Sequence, residues 1–202
     1  VREIPAQLSM TQKEIIEALR RKIDFTKEEI DIFFDKIEHQ SYAKNAYLTK
    51  PGDLNPPFML IKSGCLMTYF KDLNDHIHAI QFGQEMWWTG DLDAFFNGKP
   101  SKYGIKALTD VEVYLFKREI FELINNSSTL FERYFRQLFQ NALISHQNRI
   151  IRNISFTAEE KYLEFIRLHP RLELIVPQKY IASYMGITPE FLSKLKKQIA
   201  KS

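Results

Sequence analysis

One glycine constrains the C-terminal part of this chain more tightly than any other residue. In QKYIASYMGITPEFLSKLKKQIAK, residues 178–201, Gly186 separates a run carrying Ile181, Ala182 and Met185 from one carrying Ile187, Leu192 and Leu195. Both runs have helical spacing. Glycine takes positive φ without a Cβ clash, so the connection can be tight, and Ala182 is small where two steeply crossed helices approach most closely. The second helix has a well-specified start: Thr188 supplies an N-cap hydroxyl, Pro189 occupies the first helical position, and Glu190 complements the positive end of the dipole.

The outward residues of that second helix are polar: Thr188, Glu190, Ser193, Lys194 and Lys197. If its N-terminal half enters a major groove, Glu190 can accept from a cytosine amino group, Lys194 can donate to guanine O6 or N7 or to a phosphate, and Ser193 is permissive. Gln178 opens the first helix. Lys196, Lys197 and Lys201 suit phosphate contacts better. The plainer reading is an ordinary helical hairpin with a solvated basic face. Charge favours the first reading: residues 157–202 hold eight Lys and Arg against five Asp and Glu, and the remaining 156 residues are balanced at twenty each. The whole excess of +3 therefore lies beside the motif.

Earlier in the chain the texture changes twice. Thr11 with Glu14 and Thr26 with Glu29 have capping-box spacing, and Ile15, Ile16 and Leu19, then Ile30, Phe33, Phe34 and Ile37, follow at helical intervals. From about 41 to 116, short apolar runs alternate with turn signals such as Lys50-Pro51-Gly52-Asp53 and Lys62-Ser63-Gly64, which predicts a small β-roll. Helical spacing returns near Arg118, and Ser127 or Ser128 opens a long helix running to about Arg152. Along it Leu130, Tyr134 and Leu138 form one stripe and Phe131, Phe135, Phe139 and Ala142 a second, a wider apolar surface than one packing face needs. Packing one stripe on the roll and the other on the same helix of a second copy satisfies both; burial within one domain is the alternative. A third capping box, Thr157 with Glu160, starts a helix followed by Pro170, and a short link reaches Pro177. The division expected is a sensor roll with N-terminal helices over 1–126, a connecting helix over 127–156 and a compact head over 157–202, an α+β fold.

The chemistry visible elsewhere is sparse. The single cysteine, Cys65, excludes an intrachain disulfide and any all-cysteine metal site within one subunit. Phosphate loops rich in glycine, GxSxG elbows and HExxH helices do not occur, so no catalytic residue is predicted and the chain reads as a non-enzyme. His76 and His78 share a strand face but lack further ligands, which leaves a cupin-like metal enzyme without its site. No apolar run spans a bilayer and no signal stretch is seen, so a cytoplasmic protein with no membrane contact is expected.

With these residues in place, the chain resembles the Crp/Fnr superfamily of bacterial transcription regulators, especially its Bacteroidetes-type members. VPQKYIASYMGITPEFLSKLKK is similar to the superfamily's recognition motif, and LTKPGDL, FMLIKSGCLMTYF and IQFGQEMWWTGDL are similar to stretches of its cyclic-nucleotide-binding-like roll. The resemblance implies a double-stranded β-helix, or jelly-roll, sensor domain, a homodimer formed through the long helix, and control of transcription at a palindromic operator. Its partners would be double-stranded DNA, a second copy, RNA polymerase and an unknown small-molecule effector, with no cofactor. The DNA-binding residues it implies are Gln178, Thr188, Pro189, Glu190, Ser193, Lys194 and Lys197.

Three departures sharpen the expectation. Members that bind cyclic AMP pair a glycine–glutamate cassette with an arginine–serine pair. Here Gly90-Asp91 stands near the first, and Ser101-Lys102-Tyr103 near the second without an arginine, whose planar fork a lysine cannot reproduce. A regulator independent of cyclic AMP is therefore expected, with Trp88, Gly90, Asp91, Ser101 and Lys102 as a candidate effector pocket; Trp88 is equally readable as core packing. One cysteine cannot hold an iron–sulfur cluster. The short stretch from His169 to Pro177 and the stop at Ser202 leave no room for a β-hairpin wing. The competing function is a small-molecule-binding roll whose head contacts protein.

Overall fold

The computed structural model describes residues 10–200. Helices open the chain where its capping boxes predict them. α1 (Gln12–Arg20) and α2 (Lys27–Lys36) each begin with a threonine hydroxyl accepting from the backbone three residues on. The glutamate there reaches back to the threonine amide, at 2.7 Å for Glu14 and 2.8 Å for Glu29. Each box satisfies two amide donors that the helix itself leaves open.

The central region folds into two antiparallel sheets. Strands β1 (Glu38–Tyr42), β3 (Phe58–Ser63), β6 (Trp88–Thr89) and β8 (Val111–Phe116) form the first in the order β1-β8-β3-β6. Strands β2 (Tyr47–Thr49), β4 (Leu66–Lys71), β5 (Ile77–Gly83) and β7 (Tyr103–Ala107) form the second in the order β2-β7-β4-β5. Strand alternation then explains why β3 is apolar at successive positions. Phe58 and Leu60 join the helical side with Phe33, Phe116, Phe131 and Phe135, while Met59 and Ile61 enter the roll with Ile105, Val113 and Leu115. Both faces of β3 are buried, so neither can be polar.

Three elements escape the sequence reading. β1 consists of Glu38, His39, Gln40, Ser41 and Tyr42, which are polar and mostly exposed, and it pairs only with β8. Polar residues suit such an edge because they discourage further strand addition. The six-residue helix α3 (Leu92–Asn97) is too short for a periodic signal and is defined by its ends, an Asp91 cap and Gly98 in the left-handed region. The stretch expected to be a link is instead α7 (Pro170–Ile175), opened by proline at its first position.

After α4 (Arg118–Ser127), the long helix α5 (Thr129–Ser155) runs for 27 residues, roughly 40 Å, from the cap of Ser128. Here the structure corrects the division of its apolar stripes. Phe131, Tyr134 and Phe135 are buried, and Leu130, Leu138 and Phe139 pack against the same cluster. Both stripes are used within one chain as far as Phe139, and Ala142, the last member of the second, is exposed. The apolar residues left exposed lie further along, at Leu143, Ile144, Ile150, Ile151 and Ile154. The third capping box starts α6 (Ala158–Leu168), and α8 (Gln178–Met185) and α9 (Pro189–Ile199) complete the described chain, in which no strand follows β8.

The head does not hang free. A single apolar cluster draws Met67, Tyr69, Ala79 and Phe82 from the second sheet and Phe165, Leu172, Ile181, Ala182, Leu192 and Leu195 from the head. Ser183 of α8 fastens the junction by accepting from the Ala79 amide and donating to the Ile77 carbonyl, both at 3.0 Å. β5 is the sheet's edge strand, and the serine meets backbone groups that no strand covers.

Candidate nucleic-acid interface

The turn between α8 and α9 is set by two backbone hydrogen bonds. Gly186 N–H donates to Ser183 C=O at 3.1 Å and Ile187 N–H to Ala182 C=O at 3.0 Å, with Gly186 at φ 71°. This is a Schellman ending, which requires a residue tolerant of the left-handed region. A Cβ on Gly186 would meet no atom within 4 Å, so backbone conformation selects glycine here, and space does not. Ala182 is fully buried at the crossing, together with Ile181, Met185, Leu192 and Leu195. Thr188 Oγ1 then accepts from the Phe191 amide at 3.2 Å and Pro189 takes the first helical position, so α9 starts with a fixed direction.

This arrangement leaves Gln178, Thr188, Pro189, Glu190, Ser193, Lys194 and Lys197 exposed. The six on α9 and its cap lie opposite Leu192 and Leu195, which are buried, so the helix presents one polar face outward and one apolar face inward. Lys201 lies outside the described residues. Lys196 is a correction: it pairs with Glu173 of α7 at 3.0 Å and lies over the Tyr162 ring, and so braces the head from within. Glu173 also accepts from the Tyr162 hydroxyl, and burial followed by that carboxylate raises the tyrosine's pKa. Phe191 was not anticipated. It is 50% exposed on the flank of the outward face, and its departure from the 187-192-195 inward spacing is the sequence signal that could have revealed it.

The five residues expected around an effector lie near the start of α3, where Asp91 joins Ser101 and Lys102, and Trp88 and Gly90 pack against Phe58. Trp88 is buried, stacked on Phe58 at 5.0 Å, and donates through Nε1 to the Tyr134 hydroxyl of α5 at 3.0 Å. Gly90 passes so near Phe58 that a Cβ would fall 2.8 Å from its ring. The buried carboxylate of Asp91 accepts from the Asp93 and Ala94 amides, the Ser101 hydroxyl and the Lys102 amide, at 2.8–3.2 Å. The Lys102 ammonium turns away to Asp93, 3.2 Å distant, which Lys99 also approaches. Hydrogen bonds from Asn97, Lys99 and Lys102 hold the Asp93 carboxyl far below the usual carboxylate range.

The histidine pair is a surface feature. His78 Nε2 lies 2.8 Å from Asp72 and His76 Nδ1 3.5 Å from it. Hydrogen bonding from His78 and from the His76 amide lowers the Asp72 pKa to about 2. Among the described residues no group of three or more His, Cys, Asp or Glu could hold a metal, and no helix is long and apolar enough to cross a membrane.

Comparison with known proteins places this geometry. Residues 39–127 match the cyclic nucleotide-binding domain family. No curated protein sequence matches the chain. Among solved structures, the chain is similar to FixK2 from Bradyrhizobium japonicum, with a TM-score of 0.71 and 17% identity over 82% of this chain and 85% of that one. It is also similar to the c-di-GMP responsive global regulator CLP of Xanthomonas campestris, with a TM-score of 0.68 and 12% identity over 87% and 92%. A mutant CooA from Carboxydothermus hydrogenoformans aligns with a TM-score of 0.67 and 17% identity over 96% and 86%. With residues 39–127 matching a cyclic nucleotide-binding domain, followed by the long helix and the helical head, the chain has the fold of these solved structures.

Proposed function

We propose that this protein is a DNA-binding transcriptional regulator, a homodimer that reads a palindromic operator through α9. One observation carries the reading: α9 is held by its inner face and by a fixed start, and its outer face, Thr188 to Lys197, is exposed, polar and basic. Among the structural neighbours CLP is a global regulator, which supports the same role. In this reading residues 1–126 are the sensor roll, 127–156 the connector and 157–202 the reading head, and RNA polymerase is the partner downstream.

The dimer surface follows from the corrected helix. Leu143, Ile150 and Ile154 are 59–82% exposed on α5, with Leu143 and Ile150 a heptad apart and Ile154 four residues on, the spacing of a two-stranded seam. Pairing two copies there would present two α9 helices to successive major grooves, roughly 34 Å apart. Independence from cyclic AMP is supported by the absence of arginine over 101–103 and by the internal bonding of Asp91. Any effector would have to meet a different set of groups from a phosphate cassette.

Fluorescence anisotropy with a random duplex tests the reading. Affinity should fall steeply across a salt series as phosphate contacts release counterions. A flat response, or no binding, would leave the head as a protein-contact module. On an operator selected from a random library, Lys194→Ala should cost about 1–3 kcal/mol at one base pair if Lys194 reads a base edge. Equal weakening on all sequences would assign Lys194 to a phosphate instead.

A further inference from the structure

Where α5 meets the head, a small cleft open to solvent lies between α5, α6 and α8. Arg149 and Arg152 of α5, Lys161 and Phe165 of α6 and Tyr184 of α8 line it. Its acid, Glu164, is engaged by Arg152 at 3.3 Å. The other two cations meet no carboxylate among the described residues. Arg149 donates to the Ile80 carbonyl and lies 4.4 Å from the centre of the Tyr184 ring, and Lys161 donates to the Asn153 carbonyl at 3.1 Å.

Those contacts leave most of the donors unused. A guanidinium carries five N–H groups and an ammonium three, and carbonyl oxygens orient them without cancelling their charge. Two uncompensated cations in a half-enclosed concavity concentrate positive potential there. His169 stands in the same wall, where burial, and then Arg152, lower its pKa. Leu168, exposed at the edge of the cleft, adds an apolar surface for the body of a small molecule.

We propose that this cleft binds a small anionic ligand, a molecule bearing a phosphate or carboxylate group, held by Arg149 and Lys161 with its apolar part against Leu168. The site lies outside the roll and draws its walls from both the connecting helix and the head. If the DNA-binding reading holds, its occupant bridges the two and fixes how the head is set.

Isothermal titration of the full chain with inorganic phosphate, and separately with benzoate, without DNA present, tests the site and tells the two anion chemistries apart. At least one should bind saturably, and Lys161→Gln should weaken it roughly tenfold or more, the loss of one charge-assisted hydrogen bond, with an unchanged melting temperature in the absence of anion. Arg149→Gln should do the same; if losing its Tyr184 contact unfolds that variant, Lys161→Gln still decides. No saturable binding of either anion, or equal affinity in Lys161→Gln, overturns the proposal. So does a result in which neither anion binds but Lys161→Gln weakens duplex binding on every sequence, which would assign the lysine to the DNA backbone. Because DNA is absent from the titration, its failure leaves the DNA-binding reading standing, and failure of duplex binding leaves the cleft site standing.

Discussion

Tyr134 is the residue through which the long helix and the roll are joined chemically. Its hydroxyl receives the Trp88 Nε1–H at 3.0 Å inside an aromatic cluster that includes Phe25, Phe116 and Phe135. Tyr134→Phe keeps the ring and strands the indole donor, so urea unfolding should show a loss of about 1–3 kcal/mol at neutral pH. The same hydroxyl makes stability sensitive to alkali. Burial raises the Tyr134 pKa from its ordinary 10 to about 12, against a smaller opposing effect from Trp88, and burial likewise raises the Cys65 thiol to about 12. Both groups stay protonated longer in the folded chain than in the unfolded one. Their contribution is therefore complete below pH 9 and is lost progressively as pH rises toward 12. Melting temperatures across that range should decline, and the decline should be shallower in Tyr134→Phe; equal slopes would remove Tyr134 from the account.

At the scale of elements, α5 changes character halfway along. From Leu130 to Phe139 its apolar side chains pack on the roll and the N-terminal helices, and its second half leaves Ile150, Ile151 and Ile154 in solvent. Replacing Ile150 and Ile154 with Asp should yield a folded monomer by light scattering, with unchanged helical content, while Leu138→Asp should disturb folding itself. The sequence showed that α5 is too apolar for one face but not which residues face which neighbour, because stripe width is local and the roll's outer shape is not. The same limit explains the other misses. Capping boxes and the Gly186 turn are encoded within a few residues and were legible. β1 was not, since an exposed edge strand has no apolar alternation, and the internal pairing of Lys196 depends on Glu173 in a helix that lacks a periodic signal. For the outward residues of α9, helical spacing reveals identity and face, and only the folded head reveals Phe191 beside them.

Across the whole molecule, the head and the roll behave as one packed body. Ser183 makes two hydrogen bonds to the edge of β5, and Phe82 packs against Phe165 and Tyr184 at 6.3 and 5.3 Å. Ser183→Ala removes both polar ties and leaves the apolar contact. Hydrogen exchange at the Ala79 amide should rise at least several-fold, with little change in the rest of β4 and β5. An unchanged rate at Ala79 would mean the apolar cluster alone sets the junction.

That shared cluster also bears on how such a chain can be rearranged over time. The sheet face formed by Met67, Tyr69, Ala79 and Phe82 is fitted to this head, and the head's own helices leave Phe165 and Ile181 to be covered by the sheet. Neither half is a free module. A recombination event that exchanged the head alone would expose two greasy surfaces at once, so new specificities in such a chain are reached more readily by substitution on the outer face of α9 than by swapping the unit that carries it.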